Sequence, residues 1–453
     1  MTGVGLIAVF LASIALLFFL ILKLKWEPFL ALLVATIFVG LVAGMPVLEV
    51  PAVMTEGFGS SLAGVGILIG LGVMFGQLLG SAGAIQAIAQ ALLRITGVKR
   101  APTAVAFTGA IVSIPVFFDA AFIVLVNLIR SISVSAKISI MTLTTALAVG
   151  LAATHGLVAP TPGPIVVADQ VGASLGLFIA YGLVVAVPAV LVAAIFYAQW
   201  VGRNKPVYDP ATHGVAAKDL DGSEAEEDSG PKISTSRAMF LLALPIVIIL
   251  VGAFVGLADI DHPIANAIEF IGDPNMGLLI GLLVTAVGVR PYLREKASVL
   301  YQKAIADGGL VILISGAGGA YGGMLNESGV GDYLVKTMTG WSIPILLLAF
   351  LFSQILRVSL GNTTLALITA STVLGPMAFE LGASPILLGL AICAGGIGLS
   401  LPNDSGFWVV NKFSGLSVAE TLKTWTVGGT IAGVTALGAV YVLSLFQGIL
   451  PGI

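Results

Sequence analysis

The chain has 453 residues, of which 58% are hydrophobic and only 9% are charged, and its formal net charge is −3. Soluble globular proteins carry about 25% charged residues, so this chain has too few to cover a surface that faces water. The composition predicts an integral membrane protein, and the lack of a basic excess excludes nucleic acid as a partner.

Apolar stretches and basic residues together predict how the first half crosses the membrane. A helix needs about 20 residues to cross the bilayer core, and Lys and Arg mark the cytoplasmic side. Residues 1–202 are predicted to form a first membrane repeat of five helices and one interrupted segment. Its elements are helix 1 (4–22), helix 2 (27–45), helix 3 (61–92), the interrupted segment (101–130), helix 4 (138–172, broken at 160–164) and helix 5 (175–200).

Segment 101–130 begins and ends beside basic residues, so both of its ends belong on the cytoplasmic side. The breaker Ser113-Ile114-Pro115 lies near its middle, and each arm is too short to cross separately. We therefore predict a re-entrant hairpin. The alternative is that the arms are two full crossings, and the charge pattern alone leaves that alternative open.

The second half is predicted to repeat the first upside down. The halves are joined by residues 203–236, a polar segment with six acidic residues between 219 and 228, which predicts a cytoplasmic linker without a core of its own. Residues 237–453 then leave both termini outside. The predicted elements are helix 6 (237–257), helix 7 (275–290), helix 8 (304–327), a hairpin (343–376), broken helix 9 (384–415) and helix 10 (424–448).

Local similarity between the halves indicates a duplication. Ile67-Leu68-Ile69-Gly70 matches Ile312-Leu313-Ile314-Ser315, and the surroundings of Asp119 match those of Asn362, always at a separation of about 245 residues. A constant offset over several blocks is typical of a repeated unit. The predicted fold class is an all-α integral membrane protein, an inverted repeat of about five transmembrane helices plus one hairpin each.

Two interrupted stretches, 153–169 and 399–411, mark the predicted site. Each breaks a long apolar segment with proline, glycine and polar side chains. Irregular backbone within a membrane is tolerated only where it is buried in protein or lines a wet cavity, and paired breaks of this kind are typical of a transporter's binding site. With the hairpin tips they give four converging elements, which are 113–119, 160–164, 361–364 and 402–405.

Three titratable residues in these elements are candidates for proton coupling: Asp119, Asp404 and His155. A charged carboxylate at the membrane centre costs about 3 kcal/mol, so Asp119 is expected to bind a proton. The alternative is that Asp119 caps the second hairpin arm. His155 has a side chain that titrates near neutral pH, and hydrogen bonding between helices is its alternative role.

The substrate is predicted to contact the other polar residues of the four elements. The second hairpin tip, 361–364, precedes a helix, and a helix N-terminus presents free N–H groups and partial positive charge to a carboxylate. Arg357 either balances an anionic substrate or forms a structural ion pair. The predicted substrate site consists of Ser113, Thr161, Arg357, Gly361, Asn362, Thr363, Thr364, Asn403 and Ser405.

Nearly the whole chain resembles, in order, the gluconate permease (GntP) family of proton symporters. The resemblance implies an inverted-repeat homodimer with a scaffold domain, a mobile transport domain that moves like an elevator, and small hydroxy-carboxylate substrates. The chain departs from the family at Thr161 and Leu401, where histidine is usual, and at Asp119, where glutamate is usual. The motifs that carry the resemblance are Thr154-His155-Gly156, Pro162-Gly163-Pro164, Gly318-Gly319-Ala320 with Ser328-Gly329-Val330, and Asn403-Asp404-Ser405-Gly406-Phe407-Trp408.

We therefore predict a secondary active transporter of a bacterial inner membrane that takes up gluconate or a related hydroxy acid with protons. The predicted partners are the small organic anion, protons, the lipid bilayer and a second copy of the chain. A sodium-coupled transporter of carboxylates or amino acids and a channel are the alternatives. An intramembrane enzyme is disfavoured because the three histidines and the single Cys393 are dispersed, and no cofactor is predicted.

Overall fold

The computed structural model describes most of the chain and shows it to be helical. Over the described residues the β contacts amount to one isolated bridge between Ser139 and Val207. Asn403 of the predicted site and most of the predicted linker lie outside these residues. The described ranges are 4–24, 26–97, 100–209, 232–258, 262–293, 295–330, 344–375, 383–401 and 404–453.

Seven helices of the described residues are long and apolar enough to cross a membrane, and an eighth qualifies if the bent α3 is one span. This confirms an all-helical, multi-pass membrane fold. In chain order the helices are α1 (Val4–Phe18), α2 (Pro28–Ala43), α3 (Val50–Ser81), α4 (Ala84–Thr96), α5 (Ala101–Val112), α6 (Phe118–Ala136), α7 (Ile140–Leu157), α8 (Pro162–Gln170), α9 (Leu175–Val201), α10 (Thr235–Leu257), α11 (Pro263–Gly272), α12 (Pro274–Val289), α13 (Ala297–Glu327), α14 (Ile345–Leu360), α15 (Thr363–Leu374), α16 (Pro385–Ile397), α17 (Ser405–Ser414) and α18 (Val418–Ser444).

In place of the predicted helix 3 (61–92) the structure has two helices, α3 and α4, so both predicted ends are wrong. α3 begins at Val50, with Pro51 in its first turn, and it is bent by 43° between Val50–Ala63 and Gly66–Ser81. Gly83 has a φ of +73°, which stops the helix, and α4 starts at the next residue. A left-handed backbone is inexpensive only for glycine, so this residue fixes the separation.

Short interruptions also separate α5 from α6, α7 from α8, α14 from α15, and α16 from α17. The expectation that both arms of the first hairpin are too short to cross is wrong for α6, which has 19 residues. The two ends of the α5–α6 pair nevertheless lie at the same end of the molecule, because Arg100 and Lys137 line one cavity.

The helices of the two halves pack in matching pairs. In the first half α5 and α6 both pack on α7, and in the second half α14 and α15 both pack on α16. Contacts between the halves are exchanged in the same way. The second arm of the first hairpin, α6, packs on α17 of the second half, and its counterpart α15 packs on α8 of the first half. Likewise α2 packs on α13, and α12 packs on α3.

Glycines let the long helix α3 approach its neighbours closely. A Cβ at Gly57 would lie 2.6 Å from the Gly319 carbonyl oxygen of α13, so the backbones of the two helices approach closely at this point. Further along α3, a Cβ at Gly72 would lie 2.9 Å from the Pro160 carbonyl oxygen, and one at Gly76 would lie 2.0 Å from that of Pro115. The α3 backbone therefore lies directly against both interruptions of the first half.

Candidate functional site

A cavity of about 200 Å³ lies where the interruptions meet. It contains residues of both hairpins, of the second broken segment and of α7, together with Val311 of α13 and Trp425 of α18. Most of its polar groups come from residues at helix ends. Its lining consists of Phe117, Phe118, Asp119, Ala152, His155, Val311, Arg357, Asn362, Thr363, Thr364, Leu365, Asp404, Gly406 and Trp425.

Three helices, α6, α15 and α17, begin at this cavity. The Asn362 side chain caps α15 by accepting a hydrogen bond from the Leu365 amide at 3.1 Å, and the Asp404 carboxylate caps α17 by accepting one from the Gly406 amide at 3.0 Å. No side-chain cap is present on α6, whose N-cap is Phe117. The first N–H groups of a helix lack partners within it and carry partial positive charge, so the cavity wall favours anions.

Arg357 and Asp404 form a buried ion pair beside these helix ends. The guanidinium Nη2 lies 2.5 Å from the carboxylate Oδ2, and the side chains are 2% and 5% exposed. Arg357 lies in the last turn of α14, where the helix dipole favours a cation. Its Nε and Nη1 have no hydrogen-bond partner among the described residues.

Two residues that the sequence did not single out, Ser400 and Trp425, hold this pair in place. The Ser400 hydroxyl donates to Asp404 and accepts a hydrogen bond from the Trp425 indole Nε1 at 2.5 Å. The Trp425 ring stacks on Phe118, with the ring centroids 4.7 Å apart. Trp425 thus links α18 to the first hairpin. The sequence signal for Trp425 is its position between two threonines near the start of an apolar helix.

Asp119 and His155 also line the cavity. Asp119 is half-buried and interacts electrostatically with Arg357 and Asp404. As the second residue of α6 it is not the N-cap, contrary to the capping alternative. The ring of His155 lies 6.0 Å from that of Phe117, and its Nδ1 has no partner among the described residues. The structure therefore brings the three predicted proton-coupling residues together around one guanidinium.

Thr161 and Ser113 do not line the cavity, because their hydroxyls are turned towards the backbone. The Thr161 Oγ1 lies 2.9 Å from the His155 carbonyl oxygen and 2.8 Å from that of Val158, at the end of α7. The Ser113 Oγ lies 3.4 Å from the Val116 carbonyl oxygen. Both hydroxyls satisfy backbone groups that an interrupted helix leaves free.

The remaining predicted residues occupy different places. Asn362, Thr363 and Thr364 line the cavity, whereas Gly361 is not part of its lining and ends α14 with a φ of +64°. Ser405 starts α17. Within the described residues no group of three His, Cys, Asp or Glu side chains is placed to hold a metal ion.

Sequence comparisons connect this arrangement to known proteins. The sequence model described as "GntP family permease" matches residues 4–446. The chain is 35% identical to a "Gluconate permease" of Pseudomonas aeruginosa, over 96% of both chains. It is 34% identical to a "Gluconate permease" of Bacillus subtilis, over 97% of this chain and 99% of that one. A "Low-affinity gluconate transporter" of Escherichia coli is 31% identical over 99% of both.

Two solved structures share the fold. The YdaH transporter of Alcanivorax borkumensis superimposes with a TM-score of 0.63 over 89% of this chain and 90% of its own, at 16% identity. MtrF of Neisseria gonorrhoeae superimposes with a TM-score of 0.66 over 89% of this chain and 86% of its own, at 15% identity. The first is described as a transporter and the second as one of a class of efflux pumps, and this chain shares their fold.

Proposed function

Because the chain belongs to the GntP family of permeases, we propose that it imports gluconate or a related small hydroxy-carboxylate together with protons. It would act as a secondary active transporter in the inner membrane of a bacterium, as a homodimer, with both termini outside. The cavity beside Arg357 is the proposed substrate site. We propose gluconate because three relatives are named as gluconate permeases or transporters.

The observation that carries the proposal is the pair of unpartnered donors on Arg357. Nη2 is occupied by Asp404, and Nε and Nη1 have no partner among the described residues and remain for a ligand. Each of these two N–H groups can donate a charge-assisted hydrogen bond to a carboxylate oxygen. The neighbouring N-termini of α6, α15 and α17 would add partial positive charge around the same carboxylate.

The polyhydroxyl part of such a substrate needs hydrogen-bond partners of its own. Asn362, Thr363 and Thr364 line the cavity next to Arg357 and supply hydroxyl, amide and backbone N–H groups. Phe117, Phe118 and Trp425 form an apolar wall that the carbon chain can contact. The combination of a few polar groups with an apolar wall is typical of small-molecule sites.

Charge balance supports protons as the coupling ion. Arg357 and Asp404 neutralise each other, so an ionised Asp119 would repel an incoming carboxylate at short range. A proton on Asp119 removes that repulsion. One proton carried with one monoanion then makes the transport cycle electroneutral. His155, with Nδ1 free among the described residues, is the proposed second proton site.

The packing pattern supports an inverted repeat and an elevator-type movement. The main helix contacts of one half have counterparts in the other, and contacts between the halves are exchanged, as a two-fold axis would require. We assign α1–α3 and α10–α13 to a scaffold domain, in which α3 and α13 pack along each other. The hairpins, the broken segments, α9 and α18 form the proposed transport domain, which contains most of the cavity.

Uptake by purified protein in liposomes tests the proposal. An inward proton gradient is expected to drive concentrative, saturable uptake of labelled gluconate, and Arg357→Gln is expected to abolish it. A sodium gradient at constant pH separates the sodium-coupled alternative, and uptake that never exceeds equilibrium indicates a channel. If no sugar acid is accumulated under either gradient, the proposed function is wrong.

A further inference from the structure

A second cavity, larger than the first and sharing no lining residue with it, lies at the ends of α5, α7 and α9. Its volume is about 680 Å³. It contains Arg100, Lys137, Arg203 and Lys205, which come from three separate basic clusters of the sequence. None of the described residues that line it is acidic, and Asp209, the next carboxylate along the chain, is not part of the lining.

The backbone around this cavity is ordered by specific hydrogen bonds. The Ile140 amide donates to the Pro206 carbonyl at 3.3 Å, and Ser139 and Val207 form an antiparallel bridge. The Tyr208 amide donates to the Ser133 hydroxyl at 2.9 Å. These bonds fix the segment after α9 against the connection between α6 and α7, so the basic residues of both segments face one space.

Helix ends add to the positive potential. α5 begins at Ala101 and α7 begins at Ile140, and residues of both first turns line the cavity. Ser139 is the N-cap of α7, but its hydroxyl makes no capping bond. The Ser139 side chain is 8% exposed and its Oγ has no hydrogen-bond partner among the described residues. A buried hydroxyl without a partner is unfavourable, and a ligand oxygen would supply the missing hydrogen bond.

Exposed aromatic residues place the cavity near the surface of the membrane. Phe196 lines it and is 67% exposed, and Trp200, one turn further along α9, is 69% exposed. Aromatic side chains at the end of a membrane helix are typical of the interface between lipid and water. The cavity therefore opens beside a surface that lipid chains can contact.

We propose that this cavity binds a phosphate-bearing anion, held by Arg100, Lys137, Arg203 and Lys205 and by the Ser139 hydroxyl. Four cations, two helix N-termini and an unpartnered hydroxyl match the charge and the acceptor oxygens of a phosphate group. The anion is either the headgroup of an acidic phospholipid or a free phosphate. Basic pockets between membrane helices on the cytoplasmic side are suited to acidic headgroups, and the exposed Phe196 is placed to contact an acyl chain.

Binding to the purified full chain in detergent tests this inference without any transport assay. Native mass spectrometry would count bound phosphatidylglycerol against phosphatidylcholine, and thermal unfolding would be followed with inorganic phosphate against chloride at equal ionic strength. Phosphatidylglycerol binding without a phosphate effect identifies the lipid as the source. Saturable stabilisation by inorganic phosphate identifies a free anion. If neither binds, the inference is wrong.

Variants localise the binding. Replacing Arg203 and Lys205 together by glutamine is expected to weaken binding by about tenfold or more, since each basic group near a headgroup contributes substantially. The matched control replaces the exposed Arg290 and Lys296 by glutamine, which removes the same charge elsewhere, and should change binding less than about twofold. Ser139→Ala removes only the hydroxyl and is a second test if the double variant does not fold. Equal losses in the double variant and its control would overturn the proposal.

Discussion

Replacing Asp404 by asparagine leaves the buried Arg357 guanidinium without its carboxylate. Both side chains are almost inaccessible, at 2% and 5% exposure, so water solvates the unpaired guanidinium only weakly. Removing one partner of a buried pair costs about 3–5 kcal/mol, because an uncompensated charge stays in a medium of low polarity. We expect a loss of this size in the free energy of unfolding of Asp404→Asn.

The chain supplies a matched control in the surface pair of Lys303 and Glu295. Their charged atoms lie 2.8 Å apart, but the side chains are 52% and 48% exposed. Exposed pairs contribute about 0–1 kcal/mol, since water screens and solvates both charges. Glu295→Gln should therefore be nearly neutral. Equilibrium unfolding in mixed micelles, followed by circular dichroism, measures both variants under the same conditions.

A double-mutant cycle separates the pair from its surroundings. Arg357→Gln with Asp404→Asn removes both charges, and the double variant should be destabilised by less than the sum of the single variants, by about 0.5–3 kcal/mol. Gluconate should stabilise Asp404→Asn more than the unmodified protein, since its carboxylate replaces the missing one. It should not stabilise Arg357→Gln. Strictly additive losses, or an Asp404→Asn variant as stable as Glu295→Gln, would refute the buried charge pair.

Three further variants test other parts of the site. Gly76→Ala should prevent stable folding, because the added Cβ would lie 2.0 Å from a backbone oxygen of the first hairpin. A Cβ at Gly70 would meet nothing within 4 Å, so Gly70→Ala is the control and should fold normally. The yield of monodisperse protein is measured for both variants. Trp425→Phe keeps an aromatic ring but removes the donor to Ser400, and should lower the free energy of unfolding by about 1 kcal/mol. Asp119→Asn should retain gluconate exchange across liposomes but lose accumulation driven by a pH gradient; unchanged accumulation would show that Asp119 is not the coupling group.

The sequence was sufficient for the membrane class and for the interruptions of the two hairpins and the two broken helices, although not for the break at Gly83. Proline, glycine and polar residues in apolar segments are local signals, and the interruptions after Val112, Leu157, Leu360 and Ile397 coincide with them. Arg357 and Asp404 were also identifiable, because a charged side chain inside a membrane is rare and needs a partner. Their pairing with each other depends on the packing of α14 against α16, which brings the start of α17 beside the end of α14, and no local pattern shows this.

Other features of the site depend on contacts between distant segments. The sequence predicts a substrate contact at Thr161, but the Thr161 hydroxyl instead contacts carbonyl groups that the end of α7 leaves free. The start of α18 was detectable, since Ser417 and Glu420 form a capping box with the spacing that the motif requires. The two flanking threonines mark the position of Trp425, but they do not show its partners, because its hydrogen bond to Ser400 and its stacking on Phe118 join residues from three different segments.

The charges of the cavity suggest how substrate and proton can depend on each other in the proposed cycle. A site built only from Arg357 and three helix N-termini would hold any anion and release it slowly, whereas a transporter needs a site that its substrate can leave. Asp404 offsets the charge of the guanidinium, and the protonation of Asp119 then determines the net charge of the site. With Asp119 ionised the site disfavours a carboxylate, and with Asp119 protonated it accepts one. Because linkage is reciprocal, a bound carboxylate must equally favour the proton on Asp119, so neither is expected to cross alone.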